Sequence, residues 1–147
     1  MSIKLNLTGF DEMLRKIEKA GGDVDAATKK CMEKAAEIMD DELKAQMQAV
    51  DLQNTMSRLI SRMPSPKVKN DHGLWTAEVG YEKGEYNPKH LSDAYKAIMI
   101  NYGTPRRTKH GKVKARGFID KAKKKAKPKI RKEQAKILDE VFRELRK

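Results

Sequence analysis

Residues 23–50 read DVDAATKKCMEKAAEIMDDELKAQMQAV, and this stretch decides the fold. Asp23 can accept a hydrogen bond from the open amides at a helix start, and no glycine or proline follows before Val50. Small and apolar side chains recur at helical spacing on the expected inward face, namely Val24, Ala27, Cys31, Ala35 and Ile38, with Met39 beside them. We predict a long helix from Asp23 to about Val50 that lies close against a sheet.

The residues before this helix predict a strand and a shorter helix. Ile3, Leu5 and Leu7 alternate with polar residues, which is the period-two pattern of a half-buried strand. Residues 8–11 read TGFD and predict a capping box, and residues 10–17 then carry apolar side chains at helical spacing. The glycine pair at 21–22 separates this helix from the long one.

The residues after the long helix predict a short helix and a hairpin. The apolar stripe of residues 56–63 predicts a helix that ends at Pro64. Residues 67–69 and 74–81 flank the turn-forming sequence NDHG, which predicts an antiparallel hairpin. Trp75, Ala77, Val79 and Tyr81 fall on one face of its second strand.

Two more helices are predicted towards the C-terminus. After a loop at 84–88, residues 91–102 carry Ala94, Tyr95, Ile98, Met99 and Tyr102 at helix-compatible spacing. Phe118, Ala122 and Ala126 start another helix, and Pro128 either kinks it or opens a further one. Beyond Pro128, residues 130–145 form a strong amphipathic stripe.

This order of elements favours an α+β fold. We expect a small antiparallel sheet packed against the long helix of the N-terminal half, with an amphipathic C-terminal helix. Residues 1–147 form one domain in this interpretation. The chain is 38% hydrophobic with a mean hydropathy of -0.81, so the apolar supply is thin, and we expect neighbouring subunits to complete the fold.

One segment carries the whole excess of positive charge. Residues 1–100 hold 15 Lys and Arg against 16 Asp and Glu, whereas residues 101–132 hold 14 against one, Asp120. The cations are Arg106, Arg107, Lys109, Lys112, Lys114, Arg116, Lys121, Lys123, Lys124, Lys125, Lys127, Lys129, Arg131 and Lys132. A solvated helix face is one explanation, and the one-sidedness favours an anionic partner. Within this segment residues 103–117 hold few apolar side chains, and we expect a mobile basic loop there.

No pattern in the sequence predicts catalysis, a metal or a cofactor. Cys31 is the single cysteine, which excludes an intramolecular disulfide, and we interpret it as a small core residue. The three histidines are far apart, and Gly111-Lys112 lacks the first glycine and the hydroxyl residue of a phosphate loop. We interpret residues 40–42, DDE, as an exposed helix face.

The longest apolar run, residues 97–100, is much shorter than a membrane span. We therefore expect no membrane contact. With no apolar stretch after Met1, the sequence predicts a soluble protein made inside the cell.

Several stretches resemble the tail-component family of tailed bacteriophages, to which lambdoid tail-completion proteins belong. They are Leu7-Thr8-Gly9-Phe10, Glu33-Lys34-Ala35-Ala36, Asn101-Tyr102-Gly103-Thr104 and Ala115-Arg116-Gly117-Phe118-Ile119. Three features depart from the family pattern. Gly117 stands where the family usually has proline, Asn101 where an acid is common, and residues 50–54 lack the common Thr-Gly pair.

The resemblance implies a structural virion protein of the neck or tail end, made in the host cytoplasm. It would complete the tail as a homo-oligomeric ring around the DNA channel, with the phage connector and tail-tube proteins as partners. The alternative is a stand-alone nucleic-acid-binding module that uses residues 106–132 without reading sequence. Phe118 is the one aromatic residue in that segment, which argues against recognition by base stacking.

Overall fold

The structure is a computed structural model that describes residues 1–82, 91–104 and 112–147. In this part of the chain three strands and five helices follow in the order β1 (Ser2–Asn6), α1 (Asp11–Lys19), α2 (Val24–Gln48), α3 (Gln53–Arg62), β2 (Lys67–Asp71), β3 (Leu74–Gly80), α4 (Asp93–Tyr102) and α5 (Phe118–Leu145). The α+β class is confirmed. So are the small antiparallel sheet, the long helix and the amphipathic C-terminal helix.

The long helix α2 is central to the packing. The Asp23 carboxylate accepts a hydrogen bond from the Ala26 amide at 3.0 Å, as its capping pattern predicts. The buried face is wider than the predicted one, because α2 contacts the sheet on one side and α5 on another. The additional buried apolar side chains are Met32, Ala36, Leu43 and Met47.

The sheet has the strand order β1-β3-β2, and both pairings are antiparallel. Ile3 lies opposite Val79 and Leu5 opposite Ala77, so one row of side chains faces the core. The β2–β3 hairpin turns through His72 and Gly73, whose φ angles of 52° and 88° are both positive, as a type I′ turn requires. In the described part of the chain, β1 pairs with β3 alone and is therefore an edge strand.

Helix α5 runs along α2, and among the described elements no other two share so extensive a contact. Its 28 residues span about 42 Å. Pro128 lies on the exposed side within one continuous helix, so no new helix begins there. Near its start, Phe118, Ala122 and Ala126 are buried in the main core, while Leu138 packs with Ile17 and Cys31 in a second cluster.

The predicted capping box at residues 8–11 is wrong. It would require Thr8 to precede the helix and Gly9 to be its first residue, but Gly9 has a φ of 84°, which is incompatible with a right-handed helix. Phe10 precedes α1 instead, and its side chain makes no capping hydrogen bond.

The apolar spacing of residues 91–102 correctly predicts a helix, α4, but most of its large side chains do not face the core. Its buried side chains are Ala94, Ala97, Ile100 and Asn101. Tyr95, Ile98 and Tyr102 are 38%, 37% and 66% exposed. The small alanines let α4 lie close to the core and leave the bulky apolar side chains on the outside.

The end of α4 is joined to the start of α5 by a set of hydrogen bonds. The Asn101 side-chain oxygen accepts from the Ile119 amide at 2.9 Å, and its backbone oxygen accepts from the Gly117 amide at 3.0 Å. Gly117, the residue before α5, has a φ of 61° and provides no side-chain cap. Asn101, only 3% exposed, therefore caps a helix distant in sequence, and it retains the acceptor oxygen that an acid would offer at this position.

The ends of the predicted basic loop are also hydrogen-bonded. The Thr104 amide donates to the Val113 carbonyl at 2.9 Å, and the Val113 amide donates to the Thr104 hydroxyl oxygen at 2.9 Å. Gly103 has a φ of 76°, and a Cβ there would lie 2.8 Å from the Ala115 amide nitrogen. Residues 105–111 lie outside the described residues, so mobility within residues 103–117 stays a prediction, as does the single domain over 1–147.

Replacing Asn101 with alanine should destabilise the protein by about 1–2 kcal/mol, because the Ile119 amide would lose its acceptor inside the core. Asn101→Asp keeps an acceptor oxygen and should lose less. Chemical denaturation followed by circular dichroism measures both effects, with the exposed Gln48→Ala as the control. Equal midpoints for Asn101→Ala and Gln48→Ala would contradict the capping role.

Candidate functional site

The predicted basic surface is distributed over α5 and the segment before it. Lys112, Lys114 and Arg116 lie in the described segment 112–117. Eight further cations lie in the first half of α5, and all eight are exposed, namely Lys121, Lys123, Lys124, Lys125, Lys127, Lys129, Arg131 and Lys132. Arg106, Arg107 and Lys109 lie outside the described residues.

The cations of α5 surround the helix on every side except its buried row. Lys121, Lys125 and Lys132 share one flank by helical spacing. Lys123, Lys127 and Arg131 lie on another, where they line a groove beside β1. No single flat partner could contact all eight.

Two of these cations have acidic partners. The Arg116 guanidinium lies 3.1 Å from the Asp51 carboxylate, and this hydrogen bond holds the pKa of Asp51 below its usual value. Lys129 forms an ion pair with Glu42 of α2. The other nine of the eleven described cations have no carboxylate within 4.0 Å among the described residues. Their charge is therefore available to a partner.

The sheet carries further cations, which lie outside the basic segment 106–132. Lys4 and Lys67 lie on either side of Glu78 in neighbouring strands, and Lys69 lies one row further along β2. Lys67 also forms an ion pair with Glu82. The signal was present in the sequence, because strand alternation places these lysines on the face opposite Ile3 and Val68.

The interpretation of residues 40–42 as an exposed helix face is wrong for two of the three. Asp40 is 8% exposed and Glu42 is 9% exposed, because α2 is covered on two sides. Asp40 pairs with Lys44 at 2.9 Å, and Glu42 pairs with Lys129. The carboxylates thus have separate cationic partners on α2 and α5 and do not converge on one point.

Cys31 is fully buried in the second core cluster. Its thiol approaches the Gln134 carbonyl oxygen at 3.9 Å, and burial raises its pKa to about 11. A thiol in this environment is a packing group and a poor nucleophile. Within residues 1–82, 91–104 and 112–147, no group of three or more His, Cys, Asp or Glu side chains could hold a metal ion.

The described helices also include none that is both long and apolar enough to cross a bilayer. The longest, α5, carries charged residues throughout its first half.

A comparison with known families identifies the chain. Residues 11–103 match the sequence profile of the HK97-gp10-like family. This family is described by gp10 of bacteriophage HK97, a tail component. This span is 93 of the 147 residues. The chain belongs to this family. No curated protein and no solved structure matches it.

Membership of the HK97-gp10-like family makes the chain a structural component of a phage tail. It places the protein in the virion, in contact with other virion proteins. The matched span runs from the first residue of α1 to the residue after α4, so neither β1 nor α5 is part of it. The basic half of α5 is thus a feature of this HK97-gp10-like protein beyond the region the profile matches.

Cys31 should react with a thiol reagent such as a maleimide at least about a hundredfold more slowly in the folded protein than in denaturant. A pKa raised from 9.0 to about 11 lowers the thiolate fraction at pH 8, and burial restricts access further. The stabilisation from the neutral thiol is present below pH 9 and is lost as the pH rises towards 11. Mass spectrometry of labelled protein measures the rate, and rapid labelling of the native chain would contradict the core role.

Proposed function

We propose that this tail component completes the end of the phage tail and joins it to the head connector, as a ring of identical subunits around the DNA channel. The proposal is supported by nine cations of residues 112–132, the described part of the basic segment 106–132, that have no carboxylate within 4.0 Å among the described residues. Virion DNA must pass the junction of head and tail. A cationic surface there attracts its phosphates whatever the base sequence.

The aromatic residue of the basic segment supports contact with phosphates over contact with bases. Phe118 is 1% exposed and packs in the main core, so it offers no platform on which a base could stack. Contact through lysine side chains is sequence-independent and weakened by salt. These properties suit DNA that moves past the protein more than DNA that is held at one site.

The exposed apolar face of α4 supports assembly with a second subunit. Tyr95, Ile98 and Tyr102 are spaced by three and four residues and form one stripe, with half-buried Met99 beside them. A protein with a thin apolar supply leaves these large side chains at its surface. Stripes of this kind are typical of faces that a neighbouring subunit covers.

The distribution of charge along α5 supports a head-to-tail arrangement. The second half of the helix lies beside α2 at a groove of ≈ 580 Å³ lined by Glu33, Glu37, Glu140 and Glu144 together with Lys30 and Lys34. The lining side chains sum to a charge of −2, and Glu140 has no cation within 4.0 Å among the described residues, so this groove can attract the basic first half of α5 of another copy. Contacts between unlike surfaces generate closed rings when the rotation between subunits closes.

Reversing the charge of Lys121, Lys124, Lys125 and Lys132 to glutamate should leave the protein folded but stop it from completing particles. These side chains are exposed, so their loss costs little stability. The measurement is complementation of a phage that lacks this protein, with electron micrographs of the lysate. Heads and tails should accumulate unjoined.

The matched control reverses four exposed cations elsewhere, Arg15, Lys16, Lys29 and Arg58, for the same change in net charge. It should complement far better, because these residues lie outside the basic segment. Single Lys→Ala changes on α5 should also be mild. Equal yields from the two fourfold variants would contradict the proposal and favour a solvated helix face.

The variant Ile98→Glu should weaken self-association, because it places a charge in the middle of the apolar stripe on α4. An anchor of this kind contributes about 2–3 kcal/mol, which corresponds to roughly a hundredfold change in the dissociation constant. Light scattering over a wide concentration range, with and without tail tubes, measures the effect. The exposed Ala45→Glu on α2 is the control, and a wild-type protein that stays monomeric in both settings would contradict the ring.

A further inference from the structure

A second basic feature lies between the sheet and α5. Strand β1 and the first half of α5 enclose a groove of ≈ 350 Å³. Its floor contains Leu5, Met39 and Ile130, and its cations are Lys4, Lys123, Lys127 and Arg131. No Asp or Glu of the described residues lines it.

One wall of this groove is the open edge of the sheet. Because β1 pairs with β3 on one side only, its other side presents backbone amides and carbonyls without strand partners among the described residues. The five residues of β1 form an edge of about 17 Å. An exposed edge of this kind can accept a further strand by main-chain hydrogen bonding.

The cations of the other wall have a spacing that a strand can match. Lys123, Lys127 and Arg131 follow one another at intervals of four residues, which places them about 6 Å apart along the helix. Alternate residues of an extended strand lie about 6.8 Å apart on the same side. A strand that pairs with β1 and runs along α5 can therefore direct every second side chain at one of the three cations.

We propose that this groove binds an extended segment of another virion protein, with acidic residues at every second position, as an added strand on β1. Main-chain hydrogen bonds to β1 position the segment. Its carboxylates pair with the cations of α5, and the neutral residues between them point to the opposite face of the sheet. This proposal rests on the proposed function in one respect, that the partner is a virion protein. It requires neither a ring nor contact with DNA.

The test uses a fluorescent peptide of sequence EVEVEVE and the full purified chain, with affinity measured by fluorescence anisotropy. Two control peptides are QVQVQVQ, which is neutral, and VVVEEEE, which has the same composition without alternation. Both should bind at least about tenfold more weakly, because each lacks either the charges or their strand spacing.

The matched protein variants differ only in the side of α5 that they change. Lys123→Glu with Lys127→Glu should weaken binding of EVEVEVE by at least about tenfold, whereas Lys121→Glu with Lys125→Glu, on the other flank, should weaken it by less than about threefold. Circular dichroism verifies that both variants are folded. Equal losses would show that the peptide responds to net charge alone and would overturn the proposal.

Pairing with the strand edge is tested by two further peptides, each N-methylated at one of the two alternating sets of amides. One set faces β1 and one faces away, so one peptide should lose binding and the other should keep it. Unchanged binding of both peptides would overturn the added strand. The binding of a short DNA duplex to the same two protein variants is also measured. The groove is a phosphate site if the Lys123 and Lys127 variant loses affinity for DNA, the Lys121 and Lys125 variant does not, and EVEVEVE binds both variants equally. That result would overturn the proposal.

Discussion

The packing of α5 along α2 is the interaction on which the rest of the structure depends. Both helices carry buried alanines, Ala35 on α2 and Ala122 and Ala126 on α5, and small side chains of this kind allow two helices to approach closely. The sheet then covers a second side of α2. A chain with few large apolar residues can build a core in this way, because α2 buries one side against α5 and another against the sheet.

The same packing determines where the charge lies. In the first half of α5, Phe118, Ala122 and Ala126 are buried in the core, and most of the positions between them are lysine. With the apolar row buried against α2, these lysines project on all the remaining sides. Among the described residues, Lys129 is the one of these lysines with a carboxylate within 4.0 Å, and the repulsion among the others favours binding of an anionic partner.

Most of the secondary structure could be predicted from the sequence, since helix α2, the β2–β3 hairpin and the start of α5 at Phe118 each depend on local patterns. What could not be predicted depends on the neighbours of an element. The apolar spacing in α4 indicates a helix but not which side is buried. The small Ala97 faces the core, whereas the larger Tyr102 is exposed. Likewise Asp40 and Glu42 look solvated in sequence and are buried only because α2 has two neighbours. The basic segment and its spread around a helix could be predicted from the sequence, whereas the groove that Lys123, Lys127 and Arg131 line beside β1 depends on the fold.

The hydrogen bonds that tie Thr104 to Val113 and Asn101 to Ile119 have a consequence for how such proteins diverge. They join the two ends of the interval 105–111, and none of these hydrogen bonds between α4 and the segment leading into α5 involves a residue of that interval. Insertions, deletions and exchanges in that interval would leave these hydrogen bonds in place, so we expect variation between related phages to concentrate there. The family profile ends at residue 103, at the start of this interval. Selection can vary the local charge and length there to suit a different neighbour while the scaffold is inherited intact.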